Sequence, residues 1–320
     1  MRRAAGVAVV CVLAGAGAAP ARADYVDVPV ATLWTSPGAP RAIDRPALAD
    51  PPDLRAWSRA LDTTARRGLV GRIETQALLG DRVRVLERHG AWARVVVPGQ
   101  PTPRDDRGYP GWVPRAQLAP GRGFGGTRWA TVAQPTARLG ALKLSYGTRL
   151  PIVAEAGRDL VLATPSGAMG RVRRGAVTLS APPATGARIV AAARRFVGVR
   201  YLWGGTAAFG VDCSGLIELV YRTHGVTIPR DADAQFAAGT PVARSALRPG
   251  DVVFYGVRHV HHAALYVGDG RMLEAPDSSS RVRIVALRTA DYAGARRFAA
   301  AKRSVPSSIA PSRRRRTSSA

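Results

Sequence analysis

The chain has 320 residues, with 47 Lys plus Arg against 22 Asp plus Glu, a formal charge of +25 and 46% hydrophobic side chains. That length exceeds one typical core and sets an expectation of two or three domains. Such a charge favours polyanions, but the basic residues scatter rather than forming a stripe and no nucleic-acid-reading motif occurs, which excludes nucleic acid as the expected partner.

The opening "MRRAAGVAVVCVLAGAGAAPARA" sets Arg2 and Arg3 before a short apolar run and ends on Ala21-Arg22-Ala23. This is the pattern of a signal peptide over residues 1–23, removed on export. The run is too short to span a bilayer, so the mature chain is expected outside the cytoplasm, in the periplasm or the cell wall, and not membrane-spanning. Cys11 leaves with the leader, and Cys213 then has no partner in the chain for a disulfide.

Residues 24–118 read as short strands with one helical insertion. In "DRVRVLERHGAWARVVVP", Val83 and Val85 alternate with arginines, a turn follows at Arg88-His89-Gly90, and Trp92, Val95 and Val97 come next, which is a hairpin pattern. "PPDLRAWSRALDTTARRG" instead carries Leu54, Trp57 and Leu61 at helical spacing. "GYPGWVPRAQL" is a turn into a further strand. These half-polar strands predict a small all-β barrel. After the linker "APGRGFGG", the runs "WATVA", "RLPIVAEA" and "DLVLATPSG" predict a second small barrel over 127–180. "APPATG" marks the next boundary, and "ARIVAAARRFVGV" beyond it has helical periodicity. Residues 299–320 are too polar to bury a core and are expected to be disordered. There, Arg313 to Arg316 are a candidate contact with an anionic polymer.

Cys213 opens the most informative segment. Leu216, Leu219 and Val220 follow it on one helix face, and Gly225 is placed to close that helix. The cysteine therefore falls in the first turn, where unpaired amides and the helix dipole favour a thiolate over a thiol. Asp212 is positioned to cap the helix, and Ser214-Gly215 leaves the sulfur approachable. A buried structural cysteine needs none of this, so Cys213 is a candidate nucleophile.

A thiol nucleophile needs a base, and the base needs an orienting group. Of five histidines, His89 and His224 read as structural, while His259, His261 and His262 open "HVHHAALYVGDGRMLEAP", a strand, turn and strand. A three-residue Gly268-Asp269-Gly270 loop with a bulge would pair Val267 with Arg271 and set Glu274 opposite Ala264. His262 and Glu274 then share a sheet face; a plain two-residue loop would separate them.

"YLWGGTAAFGVDCSGLIELVY", "IPRDADAQ", "LRPGDVVFY" and "HHAALYVGDGRMLEAP", spanning about 187–298, resemble an NlpC-type cysteine peptidase of bacterial cell walls. The resemblance implies an α+β papain-like catalytic domain with Cys213 as nucleophile, His262 as general base, Glu274 orienting the imidazole and Tyr201 helping to bind the oxyanion. The family often has His or another polar residue where Glu274 stands.

"VATLWTSPGAPRAIDRPALADPPDLRAW", "GRIETQALLGDRVRV" and "GYPGWVP" resemble the SH3-like barrels that precede this domain in γ-D-glutamyl-L-diamino acid endopeptidases. That implies two SH3-like barrels, the first walling the active site. It also implies that Glu74, Tyr109 and Asp212 hold the free amine of an N-terminal L-Ala, with Trp203 and Ser214 as further lining. Where the group often has Ser after "PRD", this chain has Ala232.

The expectation is a cysteine endopeptidase acting on peptidoglycan-derived stem peptides at the γ-D-Glu–L-diamino acid bond, with no metal or cofactor. The alternatives are an endopeptidase on intact, cross-linked peptidoglycan and a wall-binding protein without activity.

Overall fold

In a computed structural model that describes residues 24–299, the chain forms two β units followed by a mixed helix and sheet unit. The leader expected over 1–23 and, but for Ala299, the tail expected over 299–320 lie outside the described residues. No helix among the described residues is long and apolar enough to cross a membrane.

The first unit is a seven-stranded antiparallel sheet. Its order is Ile73–Leu78, Val30–Trp34, Tyr109–Pro114, Trp92–Val97, Arg82–His89, Asp24–Val26 and Leu118–Ala119. Alternation does the sorting: Val83, Val95, Val97 and Val113 all turn into one core with Leu33 and Ala77. The expected hairpin forms, but His89 ends its strand opposite Trp92, so the turn is Gly90-Ala91 rather than Arg88 to Gly90. The single helical insertion is broken in two, Leu54–Ala60 and Thr63–Arg67. Asp62 causes the break, because its carboxylate caps Ala65 N–H at 2.7 Å and starts a new helix.

The second unit pairs Met169–Arg173, Asp159–Ala163, Arg149–Ala156, Trp129–Val132 and Val177–Thr178, with a separate hairpin of Thr136–Leu139 and Leu142–Ser145. Leu150, Leu160, Leu162 and Val172 fill its core together with Leu79 from the first unit.

The third unit sets helices Gly186–Arg194, Cys213–Thr223 and Ala232–Ala238 against a six-stranded antiparallel sheet. The sheet order is Thr240–Val242, Tyr292–Arg297, Val252–Tyr255, His262–Gly268, Arg271–Glu274 and Arg283–Ala286. Its core does not stop at the unit boundary. Leu216, Leu219 and Val220 belong to the same apolar cluster as Val30, Trp34, Ile73 and Leu78 of the first unit. Polar contacts tie the same seam: Thr206 Oγ1 donates to Gln76 O at 2.9 Å, and Trp203 Nε1 to Ile73 O at 3.1 Å. The first unit is thus built into the wall of the third.

Candidate active site

The helix Cys213–Thr223 begins where the sequence requires it to. Asp212 is extended and its Oδ1 accepts from Gly215 N–H at 2.7 Å, and Gly225 closes the far end at φ +77°. Cys213 stands at the first helical position, partly accessible, with no disulfide.

The His262 strand and the Glu274 strand meet in a register set by a bulge. Leu265 pairs with Leu273 and Tyr266 with Met272, then the ladder slips so that Gly268, not Val267, faces Arg271. The loop is therefore the two residues Asp269-Gly270, both at positive φ, and Val267 is the extra residue. The expected placing of Glu274 opposite Ala264 holds with a shorter loop than expected, because the bulge at Val267 supplies the odd count. Glu274 comes to the face of Ala264 and His262, and its Oε2 lies 3.0 Å from His262 Nε2.

That contact fixes the histidine's role. With Nε2 donating to Glu274, Nδ1 is the nitrogen left for Cys213. Burial works against a charged imidazole here, yet hydrogen bonding to Cys213 and Glu274 and the charge of both raise His262 to about 9. Glu274 is the converse: burial pushes it up, but His262, Arg288 and Arg283 hold it down at about 2. The pair is built to carry an imidazolium against a carboxylate, the state that stabilises a neighbouring thiolate.

A cavity of about 710 Å³ opens over the sulfur. Of the nine residues singled out from sequence, Cys213, His262, Tyr201, Trp203, Asp212, Ser214, Glu74 and Tyr109 all line it, and Glu274 sits behind His262. Tyr201 is buried, and burial followed by the charges of Cys213 and Asp212 raises its hydroxyl, which stays protonated as a donor. Ala232 lines the same cavity without a hydroxyl.

The charges at the barrel end differ from the expectation. Glu74 is not a free carboxylate, since Arg104 grips it with both terminal nitrogens, and Arg104 Nη1 also donates to Tyr109 Oη at 3.2 Å. Arg104 reaches it from the loop between Trp92–Val97 and Tyr109–Pro114, which turns tightly at Gly108 (φ +128°), where a Cβ would lie 2.4 Å from Val97 O. Asp212 is also paired: Arg230, almost wholly buried, donates to its Oδ2 at 2.6 Å and Oδ1 at 3.1 Å, and to Ser214 Oγ at 3.1 Å. Arg230 Nε continues to Thr75 Oγ1 of the first unit at 2.9 Å. Asp231, another carboxylate of the cavity, has no guanidinium hydrogen bond among the described residues; it accepts from Tyr109 Oη at 2.9 Å and is raised chiefly by burial, against the charge of Arg230.

Arg104, Arg230, Asp231, Arg283 and Arg288 were not picked out from sequence. Arg230 and Asp231 sit in the "PRD" already quoted, a visible signal; Arg104 sits in a loop with none. The 47 to 22 excess of cations over anions was a general warning that any acid here meets an arginine.

Comparison with known proteins gives a consistent result. Residues 198–300 match the NlpC/P60 family, and residues 70–118 match the bacterial dipeptidyl-peptidase Sh3 domain. A Bacillus cereus protein named gamma-D-glutamyl-L-lysine dipeptidyl-peptidase is 37% identical over 86% of this chain and 90% of its own length. A Bacillus subtilis protein of the same name is 34% identical over 82% of this chain and 93% of its own. The crystal structure of an NlpC/P60 family protein from Bacillus cereus superposes with a TM-score of 0.83 at 36% identity, covering 86% of this chain and 99% of that one.

Proposed function

The chain belongs to the NlpC/P60 family, and on that premise we propose that it is a cysteine endopeptidase that hydrolyses the bond between γ-D-glutamate and an L-diamino acid in peptidoglycan-derived peptides with a free N-terminal L-Ala. Cys213 attacks the γ-carbonyl, and the oxyanion forms between its own backbone N–H and the Tyr201 hydroxyl. His262 then passes its proton to the leaving amine, held in orientation by Glu274, and water clears the thioester.

The observation that carries this reading is the barrel wall. Trp203 bonded to Ile73, and the Glu74–Arg104–Tyr109–Asp231 chain of contacts, close the cavity at the end where the acyl part of the substrate would begin. A short peptide beginning with an ammonium suits such an end. The ammonium finds Asp231 beside Tyr109, and Glu74 is open to it where it displaces Arg104. This favours free peptides over intact cross-linked wall, and the Cys213–His262–Glu274 arrangement weighs against a binding-only protein.

The same reading treats residues 127–180 as a second SH3-like barrel beside the first at 24–118, with the catalytic unit at 187–298. It treats the protein as exported through its first 23 residues, with contact to an anionic wall polymer through its basic surface and tail. The reaction is tested with L-Ala-γ-D-Glu-L-Lys and its N-acetylated twin, products followed by mass spectrometry. Cleavage of the free peptide alone, lost in Cys213→Ala, is expected. Equal cleavage of both peptides would discard the amine pocket, and hydrolysis retained by Cys213→Ala would discard the nucleophile.

A further inference from the structure

Glu274 holds more cations than the orientation of one imidazole requires. Besides His262, it accepts from Arg283 Nε and Nη2 at 3.1 and 3.0 Å on Oε1, and from Arg288 Nη1 at 3.0 Å on Oε2. Two guanidiniums on one carboxylate leave a net positive charge, and a protonated His262 adds to it.

Neither arginine is used up by this contact. Both line the active-site cavity, with side chains 51% and 40% exposed. Among the described residues, Arg283 Nη1 and Arg288 Nε and Nη2 have no hydrogen-bond partner. Arg288 is also held over the Tyr255 ring, its guanidinium carbon 4.4 Å from the centroid, so ordering it for a ligand costs little. Asp277 lines the same cavity; its Oδ1 accepts from Ser279 N–H at 2.8 Å and Ser280 Oγ at 3.1 Å, and its charge, felt by Arg283, offsets part of the excess, so that Arg283, Arg288 and a protonated His262 stand against Glu274 and Asp277. His259 and His261, facing the same cavity, bring no negative charge.

The position gives this patch its meaning. It lies on the His262 side of the cavity, Arg283 on the edge strand beside Glu274 and Arg288 just past that strand, whereas Glu74 and Tyr109 come from the barrel. In the reaction proposed above, on which this inference rests, His262 protonates the leaving amine, so the leaving residue departs over this side. We propose that Arg283 and Arg288 form a subsite for a carboxylate on the side chain of that leaving residue, so that the diamino acid preferred is one of the diaminopimelate class over lysine. A planar guanidinium pair matches a carboxylate in shape and charge, and it repels the bare ammonium that ends a lysine.

The experiment compares kcat/KM on four peptides, L-Ala-γ-D-Glu followed by diaminopimelate, by diaminopimelate amidated at its side-chain carboxylate, by diaminopimelate amidated at its α-carboxylate, and by lysine. The wild-type protein is expected to favour the free carboxylate over the amide roughly tenfold, about what one exposed charge-assisted contact supplies. In Arg283→Gln and Arg288→Gln that ratio shrinks toward one. A loss of rate common to all peptides reports the disturbed Glu274 and cancels in the ratio, which a purely structural role would leave unmoved. Equal wild-type rates on acid and amide, or a ratio unchanged in both variants, would overturn the subsite. Sensitivity to amidation of the α-carboxylate instead would overturn its assignment to the side chain. If no peptide is cut, the proposed reaction fails, and calorimetry of free diaminopimelate and lysine on the Cys213→Ala protein decides the subsite separately: tighter diaminopimelate keeps it, equal binding removes it.

Discussion

Glu274→Gln isolates what the carboxylate does for the catalytic histidine. The amide keeps the shape and can still accept a hydrogen bond, but it removes the charge that faces His262 Nε2 at 3.0 Å. A charge-assisted hydrogen bond of this kind is worth about 1.5–3 kcal/mol, so kcat/KM should fall roughly ten- to a hundredfold. The pH profile should change more specifically. In the wild-type protein His262 sits near 9, above its ordinary 6.5, because hydrogen bonds and charge from Cys213 and Glu274 outweigh burial. Without Glu274, burial remains, and Arg283 and Arg288 become uncompensated positive neighbours, which together push the imidazole down. The alkaline limb of kcat/KM should therefore move down from near 9. The assay is kcat/KM from pH 5 to 10 on the free tripeptide, with circular dichroism to establish that the variant is folded. An alkaline limb that stays in place would refute the assignment of Glu274 as the group that holds the imidazolium.

The same shifts predict a stability profile. His262 is raised on folding, so its contribution is full below about 6.5 and is lost as pH rises through about 9; Glu274 is lowered, so its contribution holds above about 4.5 and is lost as pH falls through about 2. The difference in thermal midpoint between wild type and Glu274→Gln should be level from pH 5 to 6.5 and shrink above it, and a difference that grows toward pH 10 would contradict this. Arg230→Met leaves Asp212 buried without its partner and should destabilise by about 3–5 kcal/mol in chemical denaturation; a loss below about 1 kcal/mol would mean that the pair is structurally idle. Gly204→Ala places a Cβ 2.4 Å from Ile73 Cγ2 at a φ of +73° and should spread the barrel from the cavity, raising KM for the free peptide more than it lowers kcat. An unchanged KM would show that this seam does not shape the site.

How far the chain could be read depended on the range of each interaction. The nucleophile helix was legible because its cause is local: Asp212, Cys213, the apolar face and Gly225 lie within one short stretch. The barrel strands were legible through alternation, and the split of the insertion at Asp62 was missed because a capping acid inside a helical pattern looks like any polar position. In the His262–Glu274 hairpin, parity was readable and its mechanism was not. Either a longer loop or a bulge gives the same parity, and Gly268-Asp269-Gly270 suits both. The partners of the acids were beyond reach, since Arg104 lies 30 residues from Glu74 and Arg230 lies 18 from Asp212, and only the packed fold brings them together.

Those partners set the electrostatics of the whole cleft. A chain carrying +25 must make a place for an ammonium although many of its acids, Glu74 and Asp212 among them, are claimed by arginine. Asp231 escapes by bonding to a phenol: Tyr109 satisfies the carboxylate without cancelling its charge, which Arg104 on Glu74 and Arg230 on Asp212 do not allow. On the far side of the sulfur the cations are left in excess, with Arg283, Arg288 and a protonated His262 outnumbering Glu274 and Asp277. The cleft is therefore polarised, with an unpaired acid near the barrel, a thiolate–imidazolium pair in the middle and a cationic rim on the catalytic sheet. A peptide with an ammonium at its start and a carboxylate beyond the scissile bond can align with all three at once, and its reverse orientation opposes both ends.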